Sequence, residues 1–196
     1  MNQEIVGVIL VGGKSSRMGS DKSLLQWNEI PFFEVIGKKL LSFLPEVFIS
    51  CRKEQANNFD SYPLIIDQYS AIGPLAGMLS SMHQIPEKSI LFVSCDMPDI
   101  DQKLILKMLD ANTLNNSGVF IYDHTDKLEP MLCLLNPSTY VSFDEALSNK
   151  NYSIKEIIFQ LPNQIKLSTD GILSNINNRN EYENFLKINS TNSLNE

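Results

Sequence analysis

The sequence predicts an α/β fold of three layers, with helices on both faces of a mostly parallel sheet. Three observations carry this reading. Short apolar runs rich in β-branched and aromatic residues recur along the chain, most of them are continuously apolar rather than alternating, and stretches of helical spacing fill the gaps. A strand covered on both faces has no polar side, so continuous runs argue for a sheet packed twice. Strands alternating with helices imply right-handed parallel crossovers.

The first run, IVGVIL at 5–10, opens the sheet, and residues 31–43 follow with Phe32, Phe33, Val35, Ile36, Leu40 and Leu41 at helical spacing. EVFIS at 46–50 and PLIID at 63–67 read as the next two strands. Residues 74–84 then form a helix carrying Leu75, Met78, Leu79 and Met82, with Pro74 at its first position and Gly73 in the turn before it. SILFVSC at 89–95 is a strand, and 101–111 a helix with Leu104, Ile105, Met108 and Leu109 on one face; Asp99 and Asp101 are placed to cap it. GVFIYD at 118–123 and MLCLL at 131–135 complete the strands. Helices are expected at 137–148 and 153–160, with a weaker one at 179–187. Residues 1–188 are read as a single domain, and 189–196 as a polar, disordered tail.

Composition narrows the function. At 196 residues the chain suits one domain, and 43% apolar with 20% charged residues is the make-up of an ordinary globular protein. A formal net charge of −7 argues against broad binding to nucleic acid, which requires a cationic face. The first apolar run has an acid before it and is too short for a signal peptide or a membrane span, so a cytoplasmic location is expected. Cys51, Cys95 and Cys133 lie far apart inside apolar runs, without zinc spacing, and read as buried free thiols.

In a sheet of this kind the ligand sits beyond the carboxyl ends of the strands. Directly after the first strand comes LVGGKSSRMGSDKSLL, with adjacent Gly12 and Gly13, a third glycine at 19, and Lys14, Arg17 and Lys22. The spacing fits neither the P-loop nor the dinucleotide fingerprint. The physics of an anion site remains: adjacent glycines let the backbone approach a ligand and point N–H groups at it. Arg17 supplies a planar fork and Lys22 a point charge. A tight turn with solvated cations is the plainer alternative, and the position behind a buried strand weighs against it.

This loop resembles the signature of the molybdenum cofactor guanylyltransferases, the MobA family, written L-A-G-G-x-S-x-R-M-G-x-D-K. GPLAGM at 73–78, SCDMPDI at 94–100 and NINN at 175–178 are similar to further blocks of the same family, in the same order. The resemblance implies a Rossmann-like, nucleotide-diphospho-sugar transferase type of fold. It also implies an enzyme that moves GMP from GTP to the phosphate of molybdopterin with Mg²⁺, releasing pyrophosphate. The implied nucleotide contacts are Leu10, Val11, Gly12, Gly13, Lys22, Ser50, Asp67, Gly73 and Asp96. Arg17, Lys22 and Asp96 are the implied catalytic residues, Asp96 the metal carboxylate, and Asn175 and Asn177 the pterin side. Other cofactor-biosynthesis proteins and recipient molybdoenzymes are the implied protein partners. Val11 stands where the family has Ala, Ser50 where Asn is common, and Glu129 where a His precedes Pro.

Each of these positions has a structural alternative. Asp96 ends a strand and could cap a helix, Gly73 and Gly77 could serve only a turn and close packing, and Asn175 and Asn177 share one face if the segment is extended. His83 and His124 lack a second zinc ligand nearby and read as surface residues, and Trp27 reads as packing under the loop. Rival functions are a cytidylyltransferase for the same cofactor, a sugar-phosphate nucleotidyltransferase, and a non-catalytic cofactor-binding protein. Gly12, where the cytidine-using relatives have Ala, favours the guanylyl reading.

Overall fold

The computed structural model describes residues 4–12, 22–113, 115–169, 173 and 175–192. Strand β1 (Ile5–Leu10) is followed by a short hairpin of β2 (Gln26–Trp27) and β3 (Ile30–Pro31), then helix α1 (Phe32–Leu41) and β4 (Val47–Cys51). Next come β5 (Leu64–Ile66), α2 (Leu75–Gln84), β6 (Ser89–Ser94) and α3 (Gln102–Ala111). The second half holds β7 (Gly118–Tyr122), β8 (Leu128–Leu135), α4 (Tyr140–Ser148), α5 (Ile154–Gln160), β9 (Gln164–Ser168) and α6 (Arg179–Asn192). Among the described residues the main sheet has seven strands in the order β5-β4-β1-β6-β8-β7-β9.

The alternation of β1 builds the three layers, because successive side chains of a strand point to opposite faces. Val6, Val8 and Leu10 join a core with Leu75, Met78, Met82, Phe143 and Ile157, the layer of α2, α4 and α5. Ile9 and Val11 join the opposite core with Phe33, Ile36, Leu40, Ile105 and Met108, the layer of α1 and α3. Both neighbours of β1, β4 and β6, run parallel to it, with Leu10 level with Ser50 on one side and Ser94 on the other. The ends of three central strands therefore finish at one edge.

Strand β8 is antiparallel to both β6 and β7. The cause is local: Asp123 Oδ1 accepts from the backbone N–H groups of Thr125 and Lys127, closing a tight turn that sends the chain straight back. The strand also begins earlier than MLCLL, taking in Pro130, which falls where the register with β7 shifts between Phe120 and Ile121. A proline without an N–H is tolerated at such a break.

Four further differences separate the structure from the sequence reading. Strand β9 was not expected: it pairs only with β7, at the edge of the sheet, and its Lys166 interrupts the apolar signal of Ile165 and Leu167. The helix expected at 137–148 is a 3-10 turn, Pro137–Thr139, followed by α4. Pro74 is the N-cap of α2 rather than its first helical residue, preceded by Gly73 at φ +64°. Helix α6 runs to Asn192, beyond the weaker helix expected at 179–187.

A small third core lies apart from the two main ones: Phe32, Ile176 and Phe185, with Leu25, Trp27, Tyr182 and Leu186 packed on it. Trp27 meets Phe185 edge-to-face at 5.1 Å, and Tyr182 donates its hydroxyl to the Gln26 carbonyl. This cluster ties α6 to the segment that starts with Lys22. Cys51, Cys95 and Cys133 are buried free thiols, as expected. Among the described residues no helix is long and apolar enough to cross a membrane.

Candidate active site

The site forms where β1, β4, β5 and β6 end. Leu10 accepts from the Cys95 N–H through its carbonyl, and Val11 donates its N–H to the Ser50 carbonyl, so the segment entering the glycine loop is stitched to both neighbours. The Leu10 and Val11 side chains are buried in opposite cores, and the Val11 carbonyl accepts from Gln55. These two residues thus build the floor, and their side chains face the protein interior. Gly13 and Arg17 lie outside the described residues.

Ser50 and Asp67, read from the sequence as separate nucleotide contacts, are brought together: Ser50 Oγ donates to Asp67 Oδ1 at 2.7 Å. Two glycines enclose this pair. A Cβ at Gly12 would stand 2.6 Å from Asp67 Oδ2, and one at Gly77 would stand 2.5 Å from Ser50 Oγ. Neither position tolerates even alanine without displacing the pair. Gly77 was marked in the sequence for helix packing; the structure shows that it is fitted to Ser50 and Asp67. Gly73 sits exposed at the start of α2, where a Cβ would meet open space, and its positive φ is what requires glycine.

Burial pushes the Asp67 carboxyl above its usual range, while the Ser50 hydroxyl and the Arg52 guanidinium pull the other way. A folded pKa above the unfolded one means that the folded state holds the proton more tightly. This carboxyl's contribution to stability is therefore fully present below about pH 4 and is lost as pH rises through the folded value. Asp67→Asn removes the charge and retains an acceptor for Ser50. The variant is expected to lose less stability than the parent between about pH 4 and pH 7. Urea unfolding across that range is the check, and parallel curves for the two proteins would contradict it.

The opposite side of the site is built by contacts distant in sequence. Lys22 Nζ stands 3.7 Å from Asp96 Oδ2 and donates to Asn177 Oδ1 at 2.9 Å. Ile176 donates its N–H to the Asp96 carbonyl at 3.0 Å, which pins the 175–177 segment to the end of β6. Glu181 Oε2 accepts from the Asn177 N–H, so the first turn of α6 orders the residue that holds Lys22. Asn175 turns elsewhere and donates to Glu129 Oε2 at 2.7 Å. The shared face expected for Asn175 and Asn177 is replaced by two separate partners, because Asn177 Nδ2 folds back onto the Asn175 carbonyl.

Glu129, half-buried, has its carboxyl pushed up chiefly by burial, with the charge of Asp96 adding to the rise; the Asn175 amide opposes it. It lines a cleft of about 190 Å³ together with Asp123, His124, Lys127, Leu128, Leu173 and Asn175. Placing this cleft beside Asp96 needed the tertiary structure, since only the β7–β8 turn brings residues 123–129 there. His83 is exposed, as expected, and bridges Asp144 at 2.7 Å and Tyr69 at 3.1 Å, joining α2 to α4. Trp27 packs on Phe185 of α6, and most of the glycine loop it was expected to lie under falls outside the described residues.

The chemistry of Asp96 fits a hard cation. Its Oδ1 is buried and has no hydrogen-bond partner among the described residues, and a buried carboxylate oxygen left unpaired is costly. Mg²⁺ takes one or two carboxylates plus substrate phosphates.

Residues 7–164 match the family model of the MobA-like NTP transferase domain. A molybdenum cofactor guanylyltransferase of Serratia proteamaculans is 32% identical over 152 residues, covering 76% of each chain. One from Pseudomonas fluorescens is 28% identical over 175 residues, covering 87% of this chain and 88% of its own. The crystal structure of molybdopterin-guanine dinucleotide biosynthesis protein A from Archaeoglobus fulgidus superimposes with a TM-score of 0.80 at 20% identity, over 95% of this chain and 99% of that one. With a family model matched over most of its length, the chain belongs to the MobA-like NTP transferase family.

Proposed function

We propose that this protein transfers GMP from GTP to the terminal phosphate of molybdopterin, giving the guanine dinucleotide cofactor and pyrophosphate, with Mg²⁺ as the metal. The observation that carries the reading is the meeting of Lys22, Asp96 and Asn177 at the carboxyl edge of β1 and β6. Guanylyltransferase relatives similar along most of the chain support it.

The nucleophile is a phosphate monoester oxygen, already ionised near neutral pH, so no general base is required. The task left to the chain is to bring two anions together and stabilise the charge that develops on attack at the α-phosphorus. Lys22 neutralises Asp96 in the free protein and offers the same ammonium to the phosphates when they arrive. Backbone N–H groups at Gly12 and Gly13, with Arg17, serve the pyrophosphate side. Asp96 holds the magnesium, which when bound neutralises phosphate charge. Ser50 and Asp67, set between Gly12 and Gly77, form the wall on the nucleoside side, and Asn175 with Glu129 faces the acceptor.

Incubation with magnesium, molybdopterin and each of the four nucleoside triphosphates, scored by pyrophosphate release, tests this reading. GTP is expected to support turnover and, in calorimetry with magnesium, to bind more tightly than CTP. Turnover with CTP alone would move the assignment to the cytidylyltransferase, and no release with any nucleotide to a binding protein.

A further inference from the structure

The loop that carries Asp96 is closed in part by two turn bonds. Its internal turn bonds, Met97 N–H to Ser94 and Ile100 N–H to Met97, are long at 3.2 and 3.3 Å. Lys39, on α1 and remote in sequence, adds two bonds to the loop backbone. Its ammonium donates to the Pro98 carbonyl at 2.9 Å and to the Ile100 carbonyl at 3.1 Å. The same group stands 5.6 Å from the ring centre of Trp27, which packs on α6. Lys39 therefore touches the Asp96 loop and the hairpin that follows Lys22, two of the segments that carry the site. Pro98 and Ile100, whose carbonyls accept these bonds, are both buried, so water does not readily replace the donor if the ammonium is removed.

We propose that Lys39 is a positioning residue for the metal-binding carboxylate, acting through the loop backbone to hold Asp96 in one geometry. The proposal rests on the reading of Asp96 as the metal carboxylate. Its neighbour Lys38 provides the contrast, since it is exposed and, among the described residues, its ion-pair partner is Glu34 one turn back.

The test is Mn²⁺ binding by electron paramagnetic resonance, with GTP present and free Mn²⁺–GTP as the baseline, alongside GTP affinity in chelator. Lys39→Met is expected to weaken Mn²⁺ binding by about tenfold or more, the usual effect of removing a group that orients a ligand. GTP affinity in chelator is expected to stay within about twofold, because Lys39 touches no nucleotide position. Lys39→Arg, which keeps the charge and the donors, is expected to recover most of the loss, and Lys38→Met to show none. Lys39→Leu, which likewise lacks a donor, is measured as well in case the Met variant does not fold. Wild-type Mn²⁺ binding in whichever of these two variants folds overturns the proposal, even if its melting temperature falls. Loss of binding in Asp96→Asn but not in Lys39→Met overturns the role of Lys39 alone. Binding that survives Asp96→Asn overturns the metal reading, and this proposal with it.

Discussion

Asp96→Asn is expected to reduce turnover at saturating magnesium by at least about 100-fold, the scale set by removing a charge aimed at a phosphoryl centre. The fold should persist. What Asp96 contributes to the architecture is its backbone carbonyl, which accepts from Ile176, and the substitution leaves that bond in place. Asn matches the size of the side chain and removes the anion that Oδ1 presents without a partner. GTP affinity in chelator should be unchanged or slightly improved, since a negative charge facing the triphosphate is gone. The paired measurement is turnover with magnesium and GTP binding without it. Near-normal turnover would sink the metal assignment, and the carboxylate would then be sought at Asp67.

The second large effect is at Lys22. Lys22→Met keeps the aliphatic stem and removes the ammonium, with an expected loss of about 1.5–3 kcal/mol in transition-state stabilisation, a charge-assisted contact. That corresponds to about 10–150-fold in kcat/KM. Thermal stability should change little, because a partly exposed ion pair contributes at most about 1 kcal/mol. The pair also predicts coupling. With Asp96 already Asn, the ammonium has lost its anionic neighbour, so the losses from Lys22→Met and Asp96→Asn should not add. Strict additivity in a double-mutant cycle would show that the two act independently, and a large fall in melting temperature with unchanged kinetics would make Lys22 a structural residue.

Much of this site was legible because strand ends carry it. Asp67 and Asp96 each follow a continuous apolar run, and a buried parallel strand delivers the residue after it to the ligand edge. Gly12 was readable from the same logic, since two adjacent glycines behind a buried strand signal close backbone approach. The structure adds the reason in atoms: Asp67 Oδ2 occupies the space a Cβ would need. The roles of Gly13 and Arg17 fall outside the described residues and remain proposals.

By itself the sequence determined the parallel core, the two faces of β1 and the sites at the strand ends, because apolar periodicity and strand order act over a few residues. Only the tertiary structure decided which distant groups meet. Lys22 reaches Asn177 across 155 positions, Asn175 reaches Glu129 across 46, and Lys39 holds carbonyls 59 and 61 residues away. Nothing local marks these partners, since a lysine on a helix or an asparagine in a loop satisfies its own segment equally well in solvent. The tight turn at Asp123 sends β8 back between β6 and β7, and the aromatic cluster of Trp27, Phe32 and Phe185 seats α6 against the Lys22 segment. Long-range packing of those apolar surfaces is the force that sets the polar groups side by side.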